Sequence, residues 1–422
     1  MEIKNIIARQ IYDSRGIPTV EADVILANGV MGRASIPSGA STGIHEAHEL
    51  RDNGPGFHGQ SVYKAVENIM TVVLPGLRGV KADDQFLVDQ IMIELDGTKN
   101  KERLGANAIL AVSLATAHAA AKARGVLLYE HIADIAQPMK KTLPMPMMNV
   151  LNGGKHADGS TDIQESMIIP IGAKTFSQAM QMSTEVFQEL KLLLRSKSYS
   201  TTVGDEGGFA PSVKQGNTEA FSLLIEALEK AGYKPVSDIA LAVDVAASEL
   251  YKDETYTFAS ENNNFKAEEL VSWYKSITES YPIISIEDGM AEDDWDGWKL
   301  LRTALPNIQL VGDDLLVTNT ERLQRAIQDN VANAILIKPN QIGTLTETIR
   351  AIQLAKANGW NTIVSHRSGE TEDVTIVHIA IGTGAGQIKT GSLSRSERIA
   401  KYNELLRLEA LDSSLILHNP FS

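Results

Sequence analysis

Apolar and polar positions alternate with a period of two near the start of the chain. In Thr19–Leu26, Val20, Ala22, Val24 and Leu26 interleave with Thr19, Glu21, Asp23 and Ile25, which predicts a half-buried strand. Asn28-Gly29 follows and suits a tight hairpin turn, so residues 3–36 read as a strand meander. Helices are predicted at roughly 60–74 and 82–95, and most clearly at 106–124, an alanine-rich stretch bracketed by Gly105 and Gly125. A meander followed by helices predicts an α+β domain. The pattern breaks near Gln137–Pro146, where Pro138, Pro144 and Pro146 cluster, so the expected domains are 1–138 and 139–422. Beyond the break, strands and helices alternate. Phe221, Leu224, Ile225 and Leu228 mark one helical face ended by Gly232, and Ser394 and Glu397 have the spacing of a capping box for the last helix.

Six apolar runs in the second half end at Asp244 (IALAVD), Glu287 (IISIED), Asp313 (IQLVGDD), Lys338 (AILIKPN), His366 (NTIVSHR) and Lys389 (GQIKTG). Their spacings are 43, 26, 25, 28 and 23 residues. Apart from the first, each is the length of one strand, one helix and two short loops. Parallel strands at that pitch predict an α/β barrel, whose chemistry gathers at the C-terminal ends of its strands. Three acids, two lysines and a histidine would converge on one pocket, a pattern suited to metal-assisted chemistry on an anion.

Composition narrows the picture. The 422 residues are 43% apolar and 22% charged, ordinary for a globular protein. A net charge of −14 argues against a nucleic-acid-coating surface, so no direct nucleic-acid binding is expected and local cations must capture an anionic substrate. Without cysteine there is neither disulfide nor thiolate chemistry. The N-terminus reads as a strand, not a signal peptide, and no run suits a membrane span; the expected location is cytoplasmic.

An acid closing a strand is often only the cap of the next helix. Three on consecutive strand ends are different, because close carboxylates repel unless a cation holds them. Oxygen ligands without Cys or clustered His favour Mg²⁺ over Ca²⁺ or Mn²⁺, and zinc is disfavoured. Lys338 either salt-bridges a neighbouring acid or, beside Mg²⁺ and Lys389, has its pKa lowered enough to act as a general base. Lys389 is expected to stay charged and bind substrate. Glu206, in VGDEGGFAP, is either a surface acid or the acid partner of Lys338. His366, Arg367, Ser368 and Gly369 suit a phosphate, although Ser368 could equally cap the next helix. The Gly/Ser-rich segments 37–43 and 152–165 read as loops or as active-site lids, with Ser41, His156, Gln164 and Glu165 as their contact side chains.

Together SGASTG, NGGKHAD, DIQE, GDEGG, VDVAASEL, SIEDGMAEDDW, VGDDLLVTN, IKPNQIGTLTET, SHRSGETED and QIKTGSLSRSERIAKYN closely resemble the enolase family. The likeness runs from ARQIYDSRG to LLRLE, essentially the whole chain. It implies an N-terminal α+β domain capping a modified eight-fold barrel whose first two strands precede two helices. It also implies reversible dehydration of 2-phosphoglycerate to phosphoenolpyruvate with two Mg²⁺ ions. Carried over by motif, Asp244, Glu287 and Asp313 hold one ion and Ser41 helps to hold the second. Lys338 takes the C2 proton, and Glu206, supported by Glu165 and His156, protonates the departing hydroxyl. Gln164 and His366 meet substrate, Arg367 and Ser368 grip phosphate, and Lys389 pairs with the carboxylate.

The resemblance further implies a homo-oligomer (a dimer or an octamer of dimers). Some members also serve in an RNA-degrading assembly, or bind plasminogen from a cell-surface or secreted pool. Ile17, Gly159, Ser166 and Ala410 depart from the family pattern; none supplies a catalytic atom, so changes in lid movement, packing or dimer strength are expected. Two competing readings are an acid-sugar dehydratase or racemase, which would lack the GDEGG and SHRSGE strings, and a non-catalytic scaffold, which need not keep Lys338 and Glu206.

Overall fold

The structure, a computed structural model, describes residues 1–39, 43–157 and 159–421. Strands β1 (Ile3–Tyr12), β2 (Pro18–Leu26) and β3 (Met31–Ser35) form an antiparallel meander. Val20, Ala22, Val24 and Leu26 are fully buried, as the alternation requires. Gly29, at φ 85°, closes the β2–β3 turn with its N–H on the Leu26 carbonyl. Against this sheet lies helix Ala106–Arg124, buried along most of its length. Its alanines make a thin rod, and at Gly32 the approach is closer still: a Cβ there would sit 2.2 Å from the Ala115 carbonyl oxygen. The other predicted helices appear as Gln85–Asp96 and as a continuous stretch, Tyr63–Leu77, whose middle turn (Ile69–Val73) is π-helical.

Helix Leu128–Ala136 precedes the barrel. The barrel strands are β4 (Met145–Asn152), β5 (Glu165–Ile169), β6 (Ala240–Asp244), β10 (Ile283–Glu287), β11 (Gln309–Gly312), β12 (Ala334–Ile337), β13 (Asn361–Ser365) and β14 (Gly386–Lys389), closed in the order β10-β11-β12-β13-β14-β4-β5-β6. The six strands of near-uniform pitch, β6 and β10 to β14, run parallel as predicted, whereas β5, outside that set, runs antiparallel to both β4 and β6. It follows β4 through a hairpin connection that holds a single 3₁₀ turn, Gly154–His156, and, among its described residues, no α-helix to carry the chain back. Helices Phe176–Ser196 and Asn217–Lys230 then come in succession, the ββαα start that the family resemblance implied. The long first spacing is filled by a small sheet, β7 (Tyr251–Lys252), β8 (Thr255–Phe258) and β9 (Asn263–Phe265), inserted after β6.

Alternate strand residues divide two cores. Met145, Met147, Met167, Ile169, Ala242, Val311, Ala334, Leu336 and Ile363 fill the barrel interior, while their neighbours face the helical shell. Two capping expectations fail. The last helix is Ser396–Leu411, and no side chain caps its start; the Ser394 hydroxyl instead donates to the Gly207 carbonyl at 2.6 Å, so it is spent on the Glu206 loop. Ser368 lies too far ahead of helix Thr375–Thr383 to cap it. Among the described residues, no helix is long and apolar enough to cross a membrane.

Candidate active site

The strand ends deliver the predicted charges to one rim. Asp244, Glu287 and Lys389 are the last residues of β6, β10 and β14; Asp313, Lys338 and His366 come one residue after β11, β12 and β13. Because β5 is reversed, its first residue, Glu165, reaches the same rim and pairs in register with Asp244. A cleft of about 460 Å³, open mouth included, is lined by His156, Gln164, Glu165, Glu206, Asp244, Asp313, Lys338, His366, Arg367, Ser368 and Lys389. Every predicted site residue except Glu287 and Ser41 therefore borders one space. Glu287 is 1% exposed and meets Lys389 from within the wall, and Ser41 lies outside the described residues.

Lys389 is the hub. Its Nζ lies 2.8 Å from Asp244, 2.9 Å from Glu287 and 3.1 Å from Glu165. Burial opposes the ammonium charge, but these carboxylates overcome it and hold the lysine pKa well above its usual value. The charge expected from sequence is thus present, with the acids of the rim as its partners.

Lys338 pairs with Asp313. Burial is the strongest single influence and opposes its charge, yet attraction to Asp313, aided by Glu287, leaves its pKa raised. The sequence expectation of a lowered pKa took Mg²⁺ as a neighbour; among the protein's own groups, burial, Arg367 and Lys389 push the expected way, and Asp313 and Glu287 push against it. Gln341 also donates to Asp313 at 2.8 Å, and both Asp288 oxygens accept amides of the same loop, from Asp313 at 2.9 Å and Asp314 at 2.8 Å.

Glu206 and Glu165 are pushed in opposite directions. Burial raises Glu165 well above the carboxylate range, reinforced by Glu206. For Glu206, burial is overcome by His156, His366 and Arg398, which hold it well below that range. Asn149 donates to Glu206 Oε2 at 3.1 Å, while His366 Nε2 and His156 Nδ1 stand 3.4 and 3.7 Å from the same oxygen. Arg367 makes a forked pair with Glu46, at 3.0 and 3.1 Å.

The donor set fits a hard cation. Oxygen ligands dominate, and Glu287 Oε2 and Glu165 Oε2 are buried without a hydrogen-bond partner. The trio predicted for the ion is not the tightest grouping, however. Among the described residues, ligand atoms lie within 4.8 Å of one another in Asp288–Asp313–Asp314 and in His156–Glu165–Glu206. The two lysines explain why, since each ammonium occupies part of the Asp244, Glu287 and Asp313 surroundings. Sequence reasoning passed over Glu46, Asn149, Asp288, Gln341 and Arg398. Asn149, a polar residue inside the apolar strand MPMMNVLN, was the one visible signal.

These features define a class: a capped eight-stranded barrel with acids and amines gathered at one rim. Residues 3–132 match the family model described as "Enolase, N-terminal domain", and residues 140–417 match "Enolase, C-terminal TIM barrel domain". The chain belongs to the enolase family.

Proposed function

We propose that the protein is a lyase that reversibly dehydrates 2-phosphoglycerate to phosphoenolpyruvate. The observation that supports this most is the division of one cleft into a lysine–acid pair (Lys338–Asp313) and a carboxylate ringed by histidines (Glu206). Elimination needs a base and an acid in separate environments. In this reading Lys338, once its ammonium proton has left, takes the proton from C2. The C3–O bond then breaks with its electron pair on oxygen, and a proton that Glu206 passes on from Glu165, the member of the pair whose pKa is raised, makes that hydroxyl water. Glu165, close to Glu206, shares its titration as a coupled pair, and His156 lies alongside.

Arg367 and Ser368 receive the phosphate, Lys389 the carboxylate, and Gln164 and His366 lie against substrate. Asp244, Glu287 and Asp313 would hold Mg²⁺, with Ser41 contributing to a second ion. Bound Mg²⁺ supplies positive charge beside a carboxylate that gains a second negative charge. Cytoplasmic work, a homo-oligomer and a domain division at 138/139 belong to the same proposal.

The test is phosphoenolpyruvate formation from 2-phosphoglycerate, followed by absorbance with Mg²⁺ and with chelator. Glu206→Gln should keep measurable exchange of the C2 hydrogen yet stall hydroxyl loss. No product from the wild-type protein with Mg²⁺ would overturn the reading.

A further inference from the structure

Arg398 stands in the first turn of the last helix, where its neighbours in sequence suggest a surface charge, yet it is fully buried. Its guanidinium faces away from the helix toward two loops of the cleft. One nitrogen donates to the Arg367 carbonyl at 2.5 Å and lies 2.5 Å from His366 Nδ1. The other donates to the carbonyls of Ser368, at 2.6 Å, and Asp205, at 3.1 Å. One side chain thus ties the loop of His366 to the loop of Glu206.

The contact with His366 has a chemical consequence. A guanidinium has only donors, so His366 Nδ1 must be the acceptor and cannot carry the proton of the neutral ring. The proton is then on Nε2, which stands 3.4 Å from Glu206 Oε2. Asn149 donates to that same oxygen. With Oε2 committed to accepting, the proton that Glu206 gives or takes is left to Oε1. The adjacent positive charge also opposes a second proton on His366, whose pKa burial lowers to about 4.

We propose that Arg398 is a positioning residue: it fixes His366 as the Nε2–H tautomer, directs that N–H at Glu206 Oε2, and so assigns acid–base work to Oε1. This rests on the dehydratase reading of the site. It predicts that losing Arg398 harms hydroxyl loss more than C2 proton removal, which belongs to Lys338.

The experiment uses the full chain. Histidine ¹⁵N NMR of the wild-type protein, with His366 assigned by a His366→Gln variant, reads the tautomer directly. The expected state is Nε2–H; Nδ1–H would overturn the proposal without any Arg398 variant having to fold. Arg398→Lys keeps a donor-only group and should keep both the tautomer and most of the turnover. Arg398→Gln can turn an oxygen toward His366, so Nδ1–H should become populated. Its kcat for elimination should fall about 10²-fold, with little change in KM and with C2 exchange near wild type. Equal loss of exchange and elimination, or a lysine variant as impaired as the glutamine one, would mean a merely structural role and overturn the proposal. If the wild type neither exchanges nor eliminates, the dehydratase reading fails, and the tautomer still decides the arginine–histidine assignment.

Discussion

Two polar layers are buried in this barrel, and they are built on opposite rules. Near the N-terminal ends of the strands, Gln309 and Gln387 exchange hydrogen bonds at 3.1 and 2.9 Å. Ser285 accepts from Gln309 at 3.0 Å, and Asn361 donates to it at 2.7 Å. This layer is neutral and closed on itself. At the other end lie Asp244, Glu287, Asp313, Glu165 and Glu206, with Glu287 Oε2 and Glu165 Oε2 lacking partners. Folding alone gives no reason to keep such oxygens in the dark, since a buried acceptor without a donor costs about 1–3 kcal/mol. A satisfied buried layer holds a barrel together; an unsatisfied charged one is shaped for something that arrives later.

The largest effect that separates the two layers is chemical. Lys338→Ala should slow exchange of the C2 hydrogen of 2-phosphoglycerate with deuterated water on the order of 10³-fold, with the fold intact by circular dichroism. Wild-type exchange in that variant would remove Lys338 from the role of base. Next, Glu287→Gln should weaken Mg²⁺ binding at least about 100-fold in calorimetry, yet leave thermal stability in chelator unchanged or higher. Its carboxyl is held well above the usual range by burial and Asp244, so the native fold gains little from that charge. A marked drop in stability in chelator would make the rim structural.

Asp89 sharpens the contrast, as a buried carboxylate away from the rim whose oxygens accept from Thr346 N at 2.9 Å and Gln85 at 3.0 Å. Burial raises its pKa from 3.8 to about 6 even so. A raised native pKa means that the proton favours the fold. The contribution is complete below pH 3.8 and disappears as pH rises through about 6. Relative to Asp89→Asn, the wild type should lose at most about 3 kcal/mol between pH 4 and pH 7 in urea unfolding. Parallel pH profiles would show that hydrogen bonds had fully offset burial. The smallest effect belongs to the closed layer: Gln309→Leu should cost about 1–3 kcal/mol through the partners it strands, leaving Mg²⁺ affinity unchanged.

Much of this was legible from sequence. Strand ends showed because a buried run must stop where its first charge appears, and six such stops at near-constant pitch implied convergence. The helix 106–124 was bounded within a residue, since two glycines bracket an alanine-rich run that has neither glycine nor proline inside it. The direction of β5 was not legible from a pitch that covers only the later strands: Glu165–Ile169 reads the same in either sense, and only the connection before it, a 3₁₀ turn with no α-helix among its described residues, reverses it. Pairings were hidden for a similar reason. Lys338 and Asp313 are 25 residues apart in sequence, and nothing local says that the first would rest on the second. Arg398 was overlooked because a charge reads as exposed, although its spacing to Tyr402, Leu405 and Leu408 puts it on the buried face of the helix, against remote loops. Ser394 shows the reverse error, a local motif outbid by a distant carbonyl.

The reversal of β5 has a mechanical consequence. In a barrel of uniformly parallel strands, every connection over the mouth leads down through a helix to the floor. Here the chain from Asn152 to Glu165 leaves the mouth and returns to it, like a handle riveted at both ends to the same plate. Just before its far end it is tied to helix Asn217–Lys230, whose Asn217 side chain accepts from the Asp162 and Ile163 amides at 2.8 and 3.2 Å, and its far rivet is Glu165 itself, one of the acids on Lys389.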